Sequence, residues 1–287
     1  MLSHEHDLLL VAASLAISLM AGFTGLSLTR GAAELSYERR RPVLAMAAVV
    51  MGGGIWSMHF VAMLGVKLEV QQHYDALTTA ASALLAIALT WVALHTVHFG
   101  ARTARRLVAG GLWLALGVAA MHYLGMAGMQ VARPVYTPAG LGVAAASAAA
   151  LCTGAIWLCY GGRGRVPMPL GAVGFGLAVC AVHFIAMAGT MFERGPDAAG
   201  AGMHLDNEVL AFGVTLFAFV ISGAFLVVGV NVSGSGQRRR SPGAAALAAA
   251  PGVELWLGDG AEVQEAQEEA PAEPAPQARA RARTQGR

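Results

Sequence analysis

The chain has 287 residues, 56% of them hydrophobic and only 13% charged, where a soluble domain carries about 25% charge. A net charge of +2 supplies no field for nucleic acid, and Cys152, Cys159 and Cys180 show no CxxC spacing and no secreted disulfide framework. The charges are clustered, and the runs between them are long enough to cross a hydrocarbon core, which takes roughly 20 apolar residues per helix.

These runs are apolar all round, without the alternation of a barrel strand, and lipid satisfies no backbone N–H or C=O, so they read as helices. The N-terminal Met-Leu-Ser-His-Glu-His-Asp lacks the positive region of a secretory signal, so the first run is retained as a helix. In chain order the spans fall at 7–29, 43–66, 76–98, 107–130, 139–160, 168–192 and 208–230. Arg30, Arg39, Arg40 and Arg41 follow the first span, Arg102, Arg105 and Arg106 the third, Arg163 and Arg165 the fifth, and Arg238, Arg239 and Arg240 the seventh. The other side carries only Lys67, Arg133 and Arg194. Positive charge collects in the cytoplasm, which puts the N-terminus outside and the C-terminus inside. The expected fold is all-α, a polytopic membrane protein with seven transmembrane helices. Residues 1–230 form the membrane domain. Residues 231–287, rich in Ala, Pro, Gln, Glu and Arg, cannot bury enough apolar area to offset their ordering entropy and read as a disordered cytoplasmic tail. No kinase, cyclase or DNA-binding domain fits in that length, so an output is expected from another protein acting in trans.

Three segments repeat: Met58-His59-Phe60-Val61-Ala62-Met63, Met121-His122-Tyr123-Leu124-Gly125-Met126 and Val182-His183-Phe184-Ile185-Ala186-Met187. The histidines are 63 and 61 residues apart, so each repeat is a pair of helices with the motif on the second. Helices two, four and six then all run outward, and each His lies about 10–14 Å below the outer boundary at 1.5 Å per residue. Each His and the Met four residues later share a helix face. Met58 and Met121 precede their His by one residue, about 100° around the helix, and flank the site; the third motif has Val182 there.

Singly, each His reads as an interhelical hydrogen-bonding group and each Met as filler. Three copies at one depth favour shared ligation, because ionisable residues inside spans are rare and functional by default. The candidate ligands are His59, Met63, His122, Met126, His183 and Met187. Imidazole binds copper, zinc and iron, and thioether selects Cu(I). A set without carboxylates argues against Mg²⁺ and Ca²⁺, and less firmly against zinc. Haem competes, since His and Met are both axial ligands. Cys180, three residues before His183, reads as packing, with a place at the site as the sharper alternative. Trp56 and Trp113 read the same way, and His4-Glu-His6 reads as an exposed pair before it reads as a metal collector.

The Met-His-Tyr of the fourth helix, with Met-His-Phe and Val-His-Phe in the second and sixth, resembles the MHYT domain of bacterial membrane sensors, over about residues 7–230. The resemblance implies seven helices built from two-helix repeats in a bacterial inner membrane, copper held by the motif residues with Met58 and Met121 as further ligands, and sensing of O₂, CO or NO. Many relatives carry a cytoplasmic signalling domain, and its absence here implies the stand-alone form. A sensor is the first expectation. A metal-handling or delivery protein, or an assembly factor for a metalloenzyme, comes second. An enzyme comes last, for want of a second cofactor motif or an acid-base carboxylate within a span, so no catalytic residue is expected.

Overall fold

The computed structural model describes residues 5–32, 35–68, 73–161, 166–195, 204–206, 208–218, 220 and 223. Among these described residues, six helices are long and apolar enough to cross a membrane: α1 (Leu8–Ala32), α2 (Tyr37–Leu64), α3 (Ala76–His98), α4 (Ala104–Ala127), α5 (Pro138–Tyr160) and α6 (Met168–Ala188). A seventh apolar helix, α7, is described over Glu208–Ala218. The rest of the expected seventh span, and the tail at 231–287, lie outside the described residues, as do Arg163, Arg165 and Arg238–Arg240.

Local chemistry sets the helix ends. Asp75, Thr103 and Thr137 each accept a hydrogen bond from the backbone N–H three residues on, at 2.7, 3.4 and 3.0 Å, and so cap α3, α4 and α5. Pro138 starts α5, where its missing N–H costs nothing. Helices α2, α4, α5 and α6 stop at Gly65, Gly128, Gly161 and Gly189.

Two boundaries correct the sequence reading. Helix α2 begins at Tyr37, so Arg39, Arg40 and Arg41 lie in its first turns and Pro42 inside it, rather than in a loop ahead of residue 43. The helix survives the proline because its entrance is held from outside. Arg40 donates to the carbonyls of Ala32 (3.1 Å), Leu35 (2.9 Å) and His98 (3.2 Å), tying the end of α1 and the end of α3 to the start of α2. In addition, α2, α4 and α6 end two to four residues early, so His59, His122 and His183 each lie five residues before the last residue of their helix. That is about 7–8 Å of rise, shallower than expected and equal in all three.

Turns and strands take over where these helices stop. Among the described residues six short strands lie ahead of α1 and in the connections: β1 (Glu5–His6), β2 (Val66–Lys67), β3 (His73–Asp75), β4 (Ala132–Tyr136), β5 (Thr190–Arg194) and β6 (His204–Asp206). They pair antiparallel as β1–β2, β3–β6 and β4–β5, with His6 opposite Val66, Tyr74 opposite Leu205 and Pro134 opposite Phe192. The fold is therefore mostly helical with three two-stranded ribbons, all at the end of the bundle where α2, α4 and α6 finish. Arginines crowd the opposite end.

Helix packing has an alternating pattern. α1 packs between α2 and α6, α3 between α2 and α4, and α5 between α4 and α6, while α2, α4 and α6 also touch one another. The burial follows: 72%, 50% and 61% of the central residues of α2, α4 and α6 are buried, against 33%, 33% and 28% for α1, α3 and α5. The motif-bearing helices form an inner triangle and α1, α3 and α5 an outer ring. Close approach rests on missing side chains. A Cβ at Gly52 would stand 2.6 Å from the Ile87 Cα, so α2 and α3 meet backbone to backbone there.

Candidate metal centre

The inner triangle brings all three motifs together. His59, His122 and His183 are fully buried, and one ring nitrogen from each lies within 4.8 Å of those of the others. The contacts converge on Nδ1: His59 Nδ1 is 3.1 Å from His183 Nδ1 and 3.2 Å from His122 Nδ1. The rings stand nearly perpendicular, with interplanar angles of 77–79° and centroids 4.9–5.2 Å apart.

Hydrogen bonding among the rings cannot satisfy this arrangement. A neutral imidazole nitrogen is either a donor or an acceptor, so His59 Nδ1 cannot serve both neighbours well. The three Nε2 atoms are also buried without a hydrogen-bond partner. Buried polar groups are paired in the great majority of cases, so three adjacent exceptions mark a site built for something else. A cation that accepts all three Nδ1 lone pairs resolves the first conflict. Nitrogens about 2.0 Å from a tetrahedral metal stand about 3.3 Å apart, close to the two observed separations. The group can hold a metal ion.

The surroundings form two apolar layers. Met63, Met126 and Met187 are buried on the ribbon side with Phe60, Tyr74, Met129 and Phe192. Met58, Met121 and Val182 belong to the cluster on the arginine side, with Met51, Ile55, Leu114, Val118 and Phe175. The histidines lie at the boundary between the layers. Each motif thus sends its first residue to one layer and its last to the other, as one helical turn requires. Tyr74, on β3, seals the ribbon side with its ring 5.6 Å from Phe60; burial pushes its phenol well above the ordinary value, so it stays neutral.

Other expected neighbours lie elsewhere. Cys180 Sγ contacts Ser18 Oγ at 3.3 Å and is not part of the histidine group. Trp113 is 40% exposed, on the outside of α4. Trp56 does pack near the site: its ring lies 5.1 Å from Phe60 and its Nε1 donates to Ser82 Oγ at 3.2 Å. One residue of consequence was missed. Gly125 has no side chain where His59 needs room, since a Cβ there would stand 2.8 Å from His59 Nε2 and 3.2 Å from Phe60 Cζ. The signal was legible, because the position three after the His is Ala62 and Ala186 in the other motifs and Gly only here. His6, expected as half of an exposed pair with His4, is instead half-buried, and its ring meets Phe184 edge-on at 5.6 Å; His4 lies outside the described residues. No local pattern could have shown that, because the contact joins β1 to α6.

Residues 52–111 and 116–172 match the MHYT family model, described as a bacterial signalling protein N-terminal repeat. Each match opens six or seven residues before a motif histidine, His59 in the first and His122 in the second. This chain carries MHYT repeats. Curated relatives include the bifunctional diguanylate cyclase/cyclic di-GMP phosphodiesterase MucR of Pseudomonas aeruginosa, 34% identical over 80% of this chain and 34% of its own length. The signaling protein YkoW of Bacillus subtilis is 26% identical over 76% of the chain and 28% of its own. The cyclic di-GMP phosphodiesterase NbdA of Pseudomonas aeruginosa is 29% identical over 77% and 29%. The chain spans about a third of the length of these relatives. No solved structure matches it. The MHYT unit is a membrane sensor domain of signalling proteins rather than a catalytic one.

Proposed function

We propose that this MHYT chain is an inner-membrane sensor that binds copper at His59, His122 and His183 and responds there to a diatomic gas, O₂, CO or NO. The supporting observation is three fully buried imidazoles whose Nδ1 atoms converge, with no carboxylate among them. Uncharged donors suit a soft cation in a low-dielectric setting. Met63, Met126 and Met187, one turn beyond each His, supply thioethers, and Met58 and Met121 border the opposite side. Nitrogens 3.1–3.2 Å apart leave no room for a porphyrin between them, which favours an ion over haem. Held by the three imidazoles, copper(I) would keep a coordination position open to the gas or to one of these thioethers.

The protein's own part is to exclude water and to couple the site to the helices. Each ligand belongs to a different inner helix, so a change in the preferred ligand geometry acts on all three helix packings at once. A ligand shifts such an equilibrium only by its differential affinity for the two packings. The arginine-rich end, placed in the cytoplasm by its charge, is where a shift would meet a signalling partner. The apolar layer between the triad and that end disfavours metal transport, which needs a continuing polar route. Metal analysis of the purified protein beside the His59/His122/His183 triple Ala variant, after copper-replete growth, tests the site: about one copper per chain against none is expected, and equal negligible copper in both would sink it. The reduced, copper-loaded protein should change its absorption or infrared spectrum with CO or NO, and an unchanged spectrum would remove the gas.

A further inference from the structure

The buried triad raises a question of access, since on the ribbon side it is covered by Met63, Met126, Met187, Phe60, Tyr74 and Phe192. A metal ion shedding its ligands needs a donor at each stage of the way in. One imidazole outside the triad is positioned for this. His6 lies on β1, held against Val66 of β2, and the next residue continues the attachment: Asp7 N–H donates to the Gly65 carbonyl at 2.8 Å and the Asp7 carboxylate pairs with Lys67 Nζ at 3.2 Å. The ribbon thereby fixes His6 over the end of α2, and its ring rests edge-on against Phe184, the neighbour of His183. The His6 ring is half-buried with its Nε2 shut off from solvent, and the Phe184 ring that it meets lies 4.8 Å from the His183 ring. It is not one of the three residues whose ligand atoms cluster within 4.8 Å.

We infer that His6 is a portal ligand: it accepts copper(I) at the ribbon-covered surface and passes it to His183, without being part of the final site. The step is ligand exchange with no change of oxidation state. The His6 lone pair replaces a donor of the incoming carrier, which leaves unchanged, and the His183 lone pair then replaces His6. The inference rests on the copper reading of the triad, and its test separates the two. Copper(I) is supplied to the purified full chain as its bicinchoninate complex, and both the rate of chelator bleaching and the final copper content are read. His6→Ala is expected to load more slowly by about tenfold or more, the scale on which partners outside the ligand set act, and to reach the wild-type copper content. His6→Met, which restores a soft donor, should recover most of the rate, which a purely structural role of the imidazole would not allow. Wild-type loading rate in His6→Ala overturns the portal role while leaving the triad intact. Loss of bound copper in His6→Ala, with helix content and melting temperature unchanged, would make His6 a member of the site and overturn the inference as stated. Absence of copper from the wild-type protein would remove the triad reading and the portal with it.

Discussion

At the scale of single residues, the site depends on one absent methyl group as much as on three imidazoles. Gly125 sits inside α4, where alanine normally stabilises a helix by about 1 kcal/mol relative to glycine. Here the added Cβ would meet His59 Nε2 and Phe60. Gly125→Ala is therefore expected to lower the melting temperature rather than raise it, with an overpacking cost of about 1–3 kcal/mol. Displacing His59, which touches both other histidines, should weaken copper binding by about 10–100-fold. Titration with a competing copper(I) chelator reads the second effect, and an unchanged affinity would show that His59 has room to move. The control is Gly142→Ala on α5, where a Cβ meets nothing and only the helix gain should appear.

At the scale of elements, each end of the bundle is held by a different device. The arginine end depends on backbone carbonyls at helix C-termini and in the connections, which have no intrahelical partners. Arg40 satisfies those of Ala32, Leu35 and His98, Arg30 that of Val166 and Arg106 that of Phe99. Arg40→Ala should cost about 1.5–3 kcal/mol, as expected for loss of hydrogen bonds to a charged group. Arg40→Lys should recover only part, because one ammonium cannot span three carbonyls as a guanidinium fork does. Denaturation in detergent measures both. The ribbon end depends partly on the Asp7–Lys67 pair, which holds the Asp7 carboxyl below its ordinary value of 3.8. A depressed carboxylate contributes stability that is present above its unfolded value and is lost as pH falls through the folded one. The melting difference between wild type and Asp7→Asn should thus be constant from neutral pH down to about the ordinary carboxyl value and vanish below it. A difference that persisted at lower pH would show that the ion pair is not its source.

At the scale of the whole molecule, three two-helix repeats close around one axis. Stacking the motif helices inside and their partners outside makes the triad equidistant from three helix ends and puts every ribbon on one side. Positive charge lies on the other side, so a reporter fused at residue 287 should behave as cytoplasmic; a periplasmic result would invert the orientation and the proposed sides for ligand and partner. The cleft between α2, α3 and α7, a cavity of about 600 Å³ lined by residues such as Trp56, Ile87 and Phe217, is apolar. Trp56 links it to Phe60 and so to the site's immediate surroundings. Its fluorescence should change when copper binds in wild type and not in the triple His variant.

What the sequence determined by itself follows from local and periodic signals. Apolar runs with clustered arginines determine where six helices lie, because hydropathy and backbone satisfaction in lipid leave no other structure. The threefold His-Met spacing determines which residues share a depth, because a two-helix period returns the chain to the same side. The sequence misplaced the start of α2, since a proline usually bars the residues before it from a helix, and Arg40 overrides that from two other elements. Only the tertiary structure decided that the histidines face one another through Nδ1, that Cys180 turns to Ser18 instead, and that His6 rests beside the third motif. Each of these joins residues far apart in the chain, and helix rotation about its own axis, which decides which face meets which, is set by packing across the inner triangle and not by any single helix's pattern.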